Sequence, residues 1–171
     1  SFGGRVQFQF IEPYRGTTNL PVFERLFLGG EYSVRGYDIR SIGPTVPNSQ
    51  IVLGGNKSLL FNVEEQFTIA GPVRLIAFYD AGEVQAGPVV VGTPAYVPDG
   101  GRLDAVVVPG KDFNLKDFKT STGLEVRFFM PVLNVPFRLI FAANPQRGNV
   151  LSSSTGLPEK SFRFRFDVGS T

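Results

Sequence analysis

Near the end of the chain Phe162, Phe164, Phe166 and Val168 alternate with Arg163, Arg165 and Asp167, and this period of two is what most restricts the fold. The same sorting recurs upstream. Val6, Phe8 and Phe10 oppose Arg5, Gln7 and Gln9, and Leu59, Phe61, Val63, Phe67 and Ile69 oppose Asn62, Glu64, Gln66 and Thr68, with Glu65 alone out of place. Thr122, Leu124, Val126, Phe128 and Met130 oppose Ser121, Gly123, Glu125, Arg127 and Phe129, and Pro131 ends that run. Phe137, Leu139, Phe141 and Ala143 oppose Arg138, Ile140, Ala142 and Asn144. The stretch from Val73 is less sharply sorted, because Ile76 and Phe78 share a face with Arg74 and Asp80, so one side of that strand is partly apolar. Six strands are predicted, over about residues 4–10, 59–69, 73–83, 120–131, 137–144 and 161–169.

A sandwich and a membrane barrel both use such strands. The connections favour the barrel: 69–72 and 132–136 are short turns, whereas 11–58, 85–119 and 146–160 are long and contain Gly or Pro. The arginines favour it too. Arg5, Arg74, Arg127, Arg138, Arg163 and Arg165 all stand opposite the Phe/Leu/Val side, as a lipid-facing sheet requires when an Arg at mid-bilayer costs ~2–4 kcal/mol. A mean hydropathy of +0.04 is compatible with strands that average a lipid face and a lumen face, and no run approaches the ~18 apolar residues of a spanning helix. The fold class is therefore all-β, the C-terminal six antiparallel strands of a transmembrane β-barrel in an up-and-down meander with a long first loop. Because about eight strands is the smallest membrane barrel, the chain is expected to be a fragment lacking strands on its N-terminal side.

With no Cys and no His, the chain has no thiolate or imidazole for a metal, no disulfide, and no His-based triad. A net charge of +2 gives no footprint for nucleic acid. Neither a metal nor a cofactor is expected, and no catalysis.

The first long loop reads Phe23-Glu24-Arg25-Leu26-Phe27-Leu28-Gly29-Gly30-Glu31-Tyr32-Ser33-Val34-Arg35-Gly36-Tyr37-Asp38-Ile39-Arg40-Ser41-Ile42-Gly43-Pro44. Its Val34-Arg35-Gly36-Tyr37 tetrad, with the Gly-Gly lead and Ile-Gly-Pro exit, resembles the signature of the Omp85 superfamily. Asn62-Val63-Glu64, Phe78-Tyr79-Asp80-Ala81-Gly82 and the closing Phe-x-Phe-x-Val-Gly extend the likeness over the chain. The resemblance implies that the loop folds back into the barrel and that Arg35 meets acidic wall residues, Glu64 and Asp80. Both have lumen parity on successive strands, and a guanidinium supplies a planar fork that a carboxylate accepts bidentately. Gly36 would allow a bend or a close approach to the wall, and Tyr37 would pack in the lumen.

Phe164, Phe166, Val168 and Gly169 resemble that family's C-terminal strand signal, which normally ends on an aromatic residue, whereas this chain ends at Thr171. Weaker candidates are an Asp99-Gly100-Gly101 and Asp104 calcium loop, better read as a turn, and a Glu64/Asp80 glycosidase pair, better read as anchors. Gly29-Gly30 with Gly36 is no phosphate loop, since no helix follows, and Asn56-Lys57-Ser58 is read as a chance sequon. Within the superfamily the chain looks most like the barrel-assembly insertases. That implies the outer membrane of a Gram-negative-type bacterium, with outer-membrane lipid, unfolded β-barrel client proteins and accessory assembly lipoproteins as partners. A polypeptide-secretion pore of the same superfamily, as in two-partner secretion, is the alternative. A passive β-domain survives only if the parity reading fails.

Overall fold

The computed structural model describes residues 1–12, 20–45, 51–87, 89–91, 106–108, 110, 112–130, 135–148 and 150–169. Pro131, the turn residues 132–134, the Asp99 to Asp104 segment and Thr171 lie outside the described residues. The six alternating segments form one antiparallel sheet: β1 (Phe2–Phe10), β2 (Lys57–Ala70), β3 (Val73–Gln85), β6 (Lys119–Met130), β7 (Val135–Ala143) and β8 (Phe162–Val168). Two further strands, β4 (Val89–Val91) and β5 (Val106–Val108), pair with each other as a separate ribbon. Alternation cannot announce these, because three consecutive valines carry no period.

The sheet order β1-β2-β3-β6-β7-β8 is a meander with no crossover, and the sheet is open. Among the described residues β1 and β8 each have one neighbour, β2 and β7 respectively. β2 has 14 residues and β3 has 13, more than the ~9–11 that cross a bilayer, so their loop-side ends project beyond it. There the two-faced pattern ends. Glu83 and Gln85, on the outer parity of β3, are buried, and Glu83 accepts from the Asn114 N–H at 3.2 Å.

Below that level the two faces separate as the alternation requires. Val6, Phe8, Phe67, Ile69, Leu124, Phe141, Phe164 and Phe166 are exposed on the outer face, while Asp80, Ser121, Glu125 and Ile140 are fully buried on the inner one. Glu65 stays exposed on the outer face, opposite Phe2 and Ala77. The only register shift in β2 comes after it, between Thr68 and Ala70, and so does not turn it inwards.

The inserted loop covers the inner face. Its Leu28, Val34, Tyr37 and Ile42 pack with Leu60 of β2, Val84 of β3 and Val150. Phe78, Ile140 and Ala142 form a second apolar cluster deeper on the wall. On the inner side of β3, Val84 packs against the loop and Phe78 against Ile140 and Ala142 of β7, so this wall is packed with side chains. Each such side chain removed from water stabilises the arrangement by ~1.5–3 kcal/mol before the cost of ordering it.

Candidate functional site

The loop is held on the inner face of the sheet by a short set of backbone bonds. Leu28 and Ile42 exchange both N–H···O bonds, at 3.1 and 3.0 Å, and close the segment between them. Gly29 and Gly30 turn the chain with φ of +108° and +104°, a region that side chains disfavour. The Tyr37 N–H donates to Val34 O at 3.1 Å, and this tight turn holds Arg35 at its tip.

Arg35 is 2% exposed and meets three carboxylates from three strands. Its Nε and Nη2 donate side-on to Asp80 Oδ2 and Oδ1 at 2.8 and 2.7 Å. Nη2 also lies 2.8 Å from Glu64 Oε1 on β2, and Nη1 donates to Glu125 Oε2 on β6 at 3.2 Å. The guanidinium carbon sits 3.9 Å above the Phe78 ring, which adds a cation–π contact on its flat side.

Asp80 tolerates complete burial because all its acceptor capacity is used. Besides the two guanidinium bonds, the Arg35 backbone N–H donates to Oδ2 at 3.1 Å and Asn62 Nδ2 donates to Oδ1 at 2.7 Å. An ionised carboxylate has about four acceptor positions, and here four donors fill them. The same Asn62 amide donates to Ser33 O at 2.7 Å, tying the wall to the loop backbone just before the tetrad.

Glu125, also 0% exposed, joins Arg35 to two wall arginines. Arg127 Nη2 and Arg138 Nε each donate to Glu125 Oε1 at 2.7 Å, and Arg138 Nη2 donates to Oε2 at 3.0 Å. Arg35, Arg127 and Arg138 are thus interleaved with Glu64, Asp80 and Glu125, and Asp167 lies 3.8 Å from Arg138, so each buried charge has an opposite one beside it.

The other tetrad residues fix the tip. Gly36 is required by space: a Cβ there would collide with the Asn144 side chain and with Ser121 Oγ, while Gly36 O accepts from Asn144 Nδ2 at 2.7 Å. Tyr37 is fully buried, its hydroxyl 3.1 Å from Gln146 O and 3.3 Å from Thr120 O. Val34 is fully buried in the cluster with Leu60 and Val84.

The structure therefore brings Val34, Arg35, Gly36, Tyr37, Glu64 and Asp80 together. It keeps Phe164, Phe166 and Val168 apart from them, on the outer face of β8, and Gly169 at the strand's end, where its N–H reaches Pro136 O at 3.3 Å. Reasoning from sequence misses Glu125, Asn62 and Asn144. Glu125 carries a signal, as the inward acid of a strand whose inward neighbour Arg127 would otherwise lack a partner. Asn62 carries inward parity and its place in the Asn62-Val63-Glu64 likeness, and Asn144 carries only inward parity.

Every carboxylate of this cluster lies within 3.2 Å of an arginine nitrogen, so the arrangement fastens the loop to the wall. Among the described residues no group of three or more acidic side chains is placed to hold a metal ion. Glu64 is the most solvent-exposed of the three carboxylates, with a side chain 39% exposed at a cleft shared with Arg5, Tyr32 and Arg127.

Comparison with known proteins agrees with this fold. The chain matches the Omp85 superfamily domain over residues 1–171. It is 28% identical, over 90% of its length, to an outer membrane protein assembly factor BamA from Nitratidesulfovibrio vulgaris, and 29% identical, over 92%, to one from Neisseria meningitidis serogroup B. It spans only 16% and 20% of those two proteins. A crystal structure of BamA from Haemophilus ducreyi lacking POTRA domains 1–3 superposes on 98% of the chain and 31% of that protein, with a TM-score of 0.65 at 19% identity. The alternating sheet, the arginine-anchored loop and these likenesses make the chain a piece of an outer-membrane β-barrel of a Gram-negative-type bacterium, and it belongs to the Omp85 superfamily.

Proposed function

We propose that this chain is barrel wall and inserted loop of an outer-membrane assembly factor, which folds and inserts other β-barrel proteins without catalysing a covalent reaction. The observation that carries the reading is the loop fastened at Arg35 to three strands of the wall, in a chain with 28–29% identity to two assembly factors. A sheet edge offers unpaired N–H and C=O groups, and an unfolded client strand can pair there while its apolar side chains enter lipid. The loop would keep the inner wall rigid while the edge exchanges partners. Outer-membrane lipid and unfolded β-barrel clients are then the direct partners, and accessory assembly lipoproteins act outside the segment described.

The test is reconstitution of the full-length protein in lipid vesicles with a urea-unfolded β-barrel client. Faster client folding than in empty vesicles is expected, with Arg35→Ala losing most of the acceleration. If the vesicles instead conduct ions and pass an unfolded polypeptide with no gain in client folding, the protein is a secretion pore of the same superfamily.

A further inference from the structure

The inner face of β8 has the opposite polarity to the wall that receives Arg35. On β2, β3 and β6 the wall supplies carboxylates and the loop a guanidinium, whereas on β8 the wall supplies Arg163 and Arg165 and the loop supplies acids. Arg165 Nη1 donates to Glu31 Oε2 at 2.7 Å, and its Nη2 donates to Tyr37 O at 3.0 Å. Arg163 donates to Asp38 Oδ1, and its other terminal nitrogen donates to Glu159 Oε2 at 2.8 Å. Asp38 is further held by the hydroxyls of Ser152 and Ser154, the latter at 2.7 Å, and its backbone N–H donates to Glu159 Oε1 at 2.9 Å. The side chains of Glu31, Asp38, Arg163 and Arg165 are only 12–17% exposed, so these are shielded, charge-assisted bonds rather than surface pairs.

Asp38 follows Arg35 by three residues, yet the two side chains bind strands at different places in the sheet. Within the sheet, β8 reaches β3 only through β7 and β6. Through the loop the same two strands are joined by the stretch from Arg35 to Asp38, stiffened by its own tight turn. We infer that Glu31 and Asp38 form with Arg163 and Arg165 a second anchor that fastens the edge strand β8 to the inserted loop, with Asp38 as the residue that positions the strand. Arg35 then fixes the loop to the wall, and Asp38 hands that fixity on to β8, which among the described residues pairs with β7.

The inference does not rest on the insertase reading, and its test involves no client. Amide hydrogen exchange is measured on the full-length protein in lipid bilayers. Asp38→Asn should accelerate exchange over residues 162–168 by about tenfold while residues 78–84 of β3 stay unchanged. Arg163→Gln, which removes the donor to Asp38, should reproduce the effect. Glu31→Gln, which leaves Asp38 and its partners in place, should give a smaller acceleration over the same residues and covers the case of an Asp38 variant that does not fold. Unchanged exchange over 162–168 in these variants would overturn the second anchor. So would equal acceleration in β3, which would mean general loosening instead of a local fastening.

Discussion

At Arg35 the geometry explains why lysine is a poor replacement. A single ammonium cannot reach Asp80 side-on with two donors while also touching Glu64 and Glu125 on the flanking strands. Removing one partner of a shielded pair leaves the other unmatched, at ~3–5 kcal/mol. We expect a double-mutant cycle of Arg35→Ala and Asp80→Ala on the unfolding of the full-length protein in detergent to give a coupling of about 1–3 kcal/mol. Arg35→Lys should recover only part of the single-mutant loss, and strictly additive effects would deny the anchor. Gly36→Ala should destabilise by about 1–3 kcal/mol, because the new methyl group displaces Asn144 from the loop backbone. Asp38 gives a pH signature. Burial disfavours its charge, but hydrogen bonds from Arg163, Ser152 and Ser154 and the charge of Arg163 outweigh this and hold its pKa below the usual carboxylate range. Its contribution is therefore fully present above the unfolded value of about 3.9 and is lost as pH falls towards the folded one. The gap in unfolding midpoint between wild type and Asp38→Asn should be constant from pH 7 to 5 and shrink below about pH 4; a gap that widens in acid contradicts the pairing. Sequence parity places Glu64, Asp80 and Glu125 alike on the inner face. Which of them converge on one guanidinium depends on the sheet register and on how deep the loop inserts, and neither is written in any local pattern.

At the level of the strands, alternation works because lipid outside and a charged, packed interior inside make opposite demands on neighbouring residues. The β6, β7 and β8 strands show the outer demand as a run of rings: Phe128 lies 5.0 Å from Phe137 and stacks on it, and Phe137 lies 6.1 Å from Phe166. Phe141 and Phe164 are 5.1 Å apart one step further along. Such pairs add ~0.5–1.5 kcal/mol each beyond area, and they lock the register that sends Arg138, Arg163 and Arg165 inwards. Spin labels at Phe164 and Arg165 in the full-length protein in bilayers should therefore report lipid and a polar interior respectively; equal aqueous accessibility at both is incompatible with the membrane sheet. Alternation stops being informative where its cause stops. It blurs on β3, whose inward Phe78 packs against Ile140 and Ala142 of β7, and at the loop-side end of that strand, where Glu83 is covered although its parity is outward. It is silent on the bridges that shape the loop, Leu26 with Gly55 and Leu28 with Ile42, since single pairs carry no period.

Across the whole molecule, stability is distributed between a sheet with two single-neighbour strands and a loop that ties its members together from inside. The outer groups of β1 and β8 have no ladder partner among the described residues, and hydrocarbon offers none. Each backbone group left unpaired in lipid costs several kcal/mol, so a strand edge of seven to nine residues outweighs what the loop anchors can return. Curling β1 on to β8 does not solve this, because a six-stranded barrel leaves too little interior for the inserted loop and its packed wall. The 171-residue chain by itself should accordingly depend on detergent or lipid and should associate through its edges, running above monomer size in light scattering. Pairing of the edges predicts which contacts would form. Cross-linking through single cysteines, which the natural sequence lacks, should join β1 or β8 of one copy to β1 or β8 of another, while cysteines on β3 or β6 stay unlinked. A water-soluble monomer that needs no detergent would show that the exposed Phe-rich face is not made for lipid.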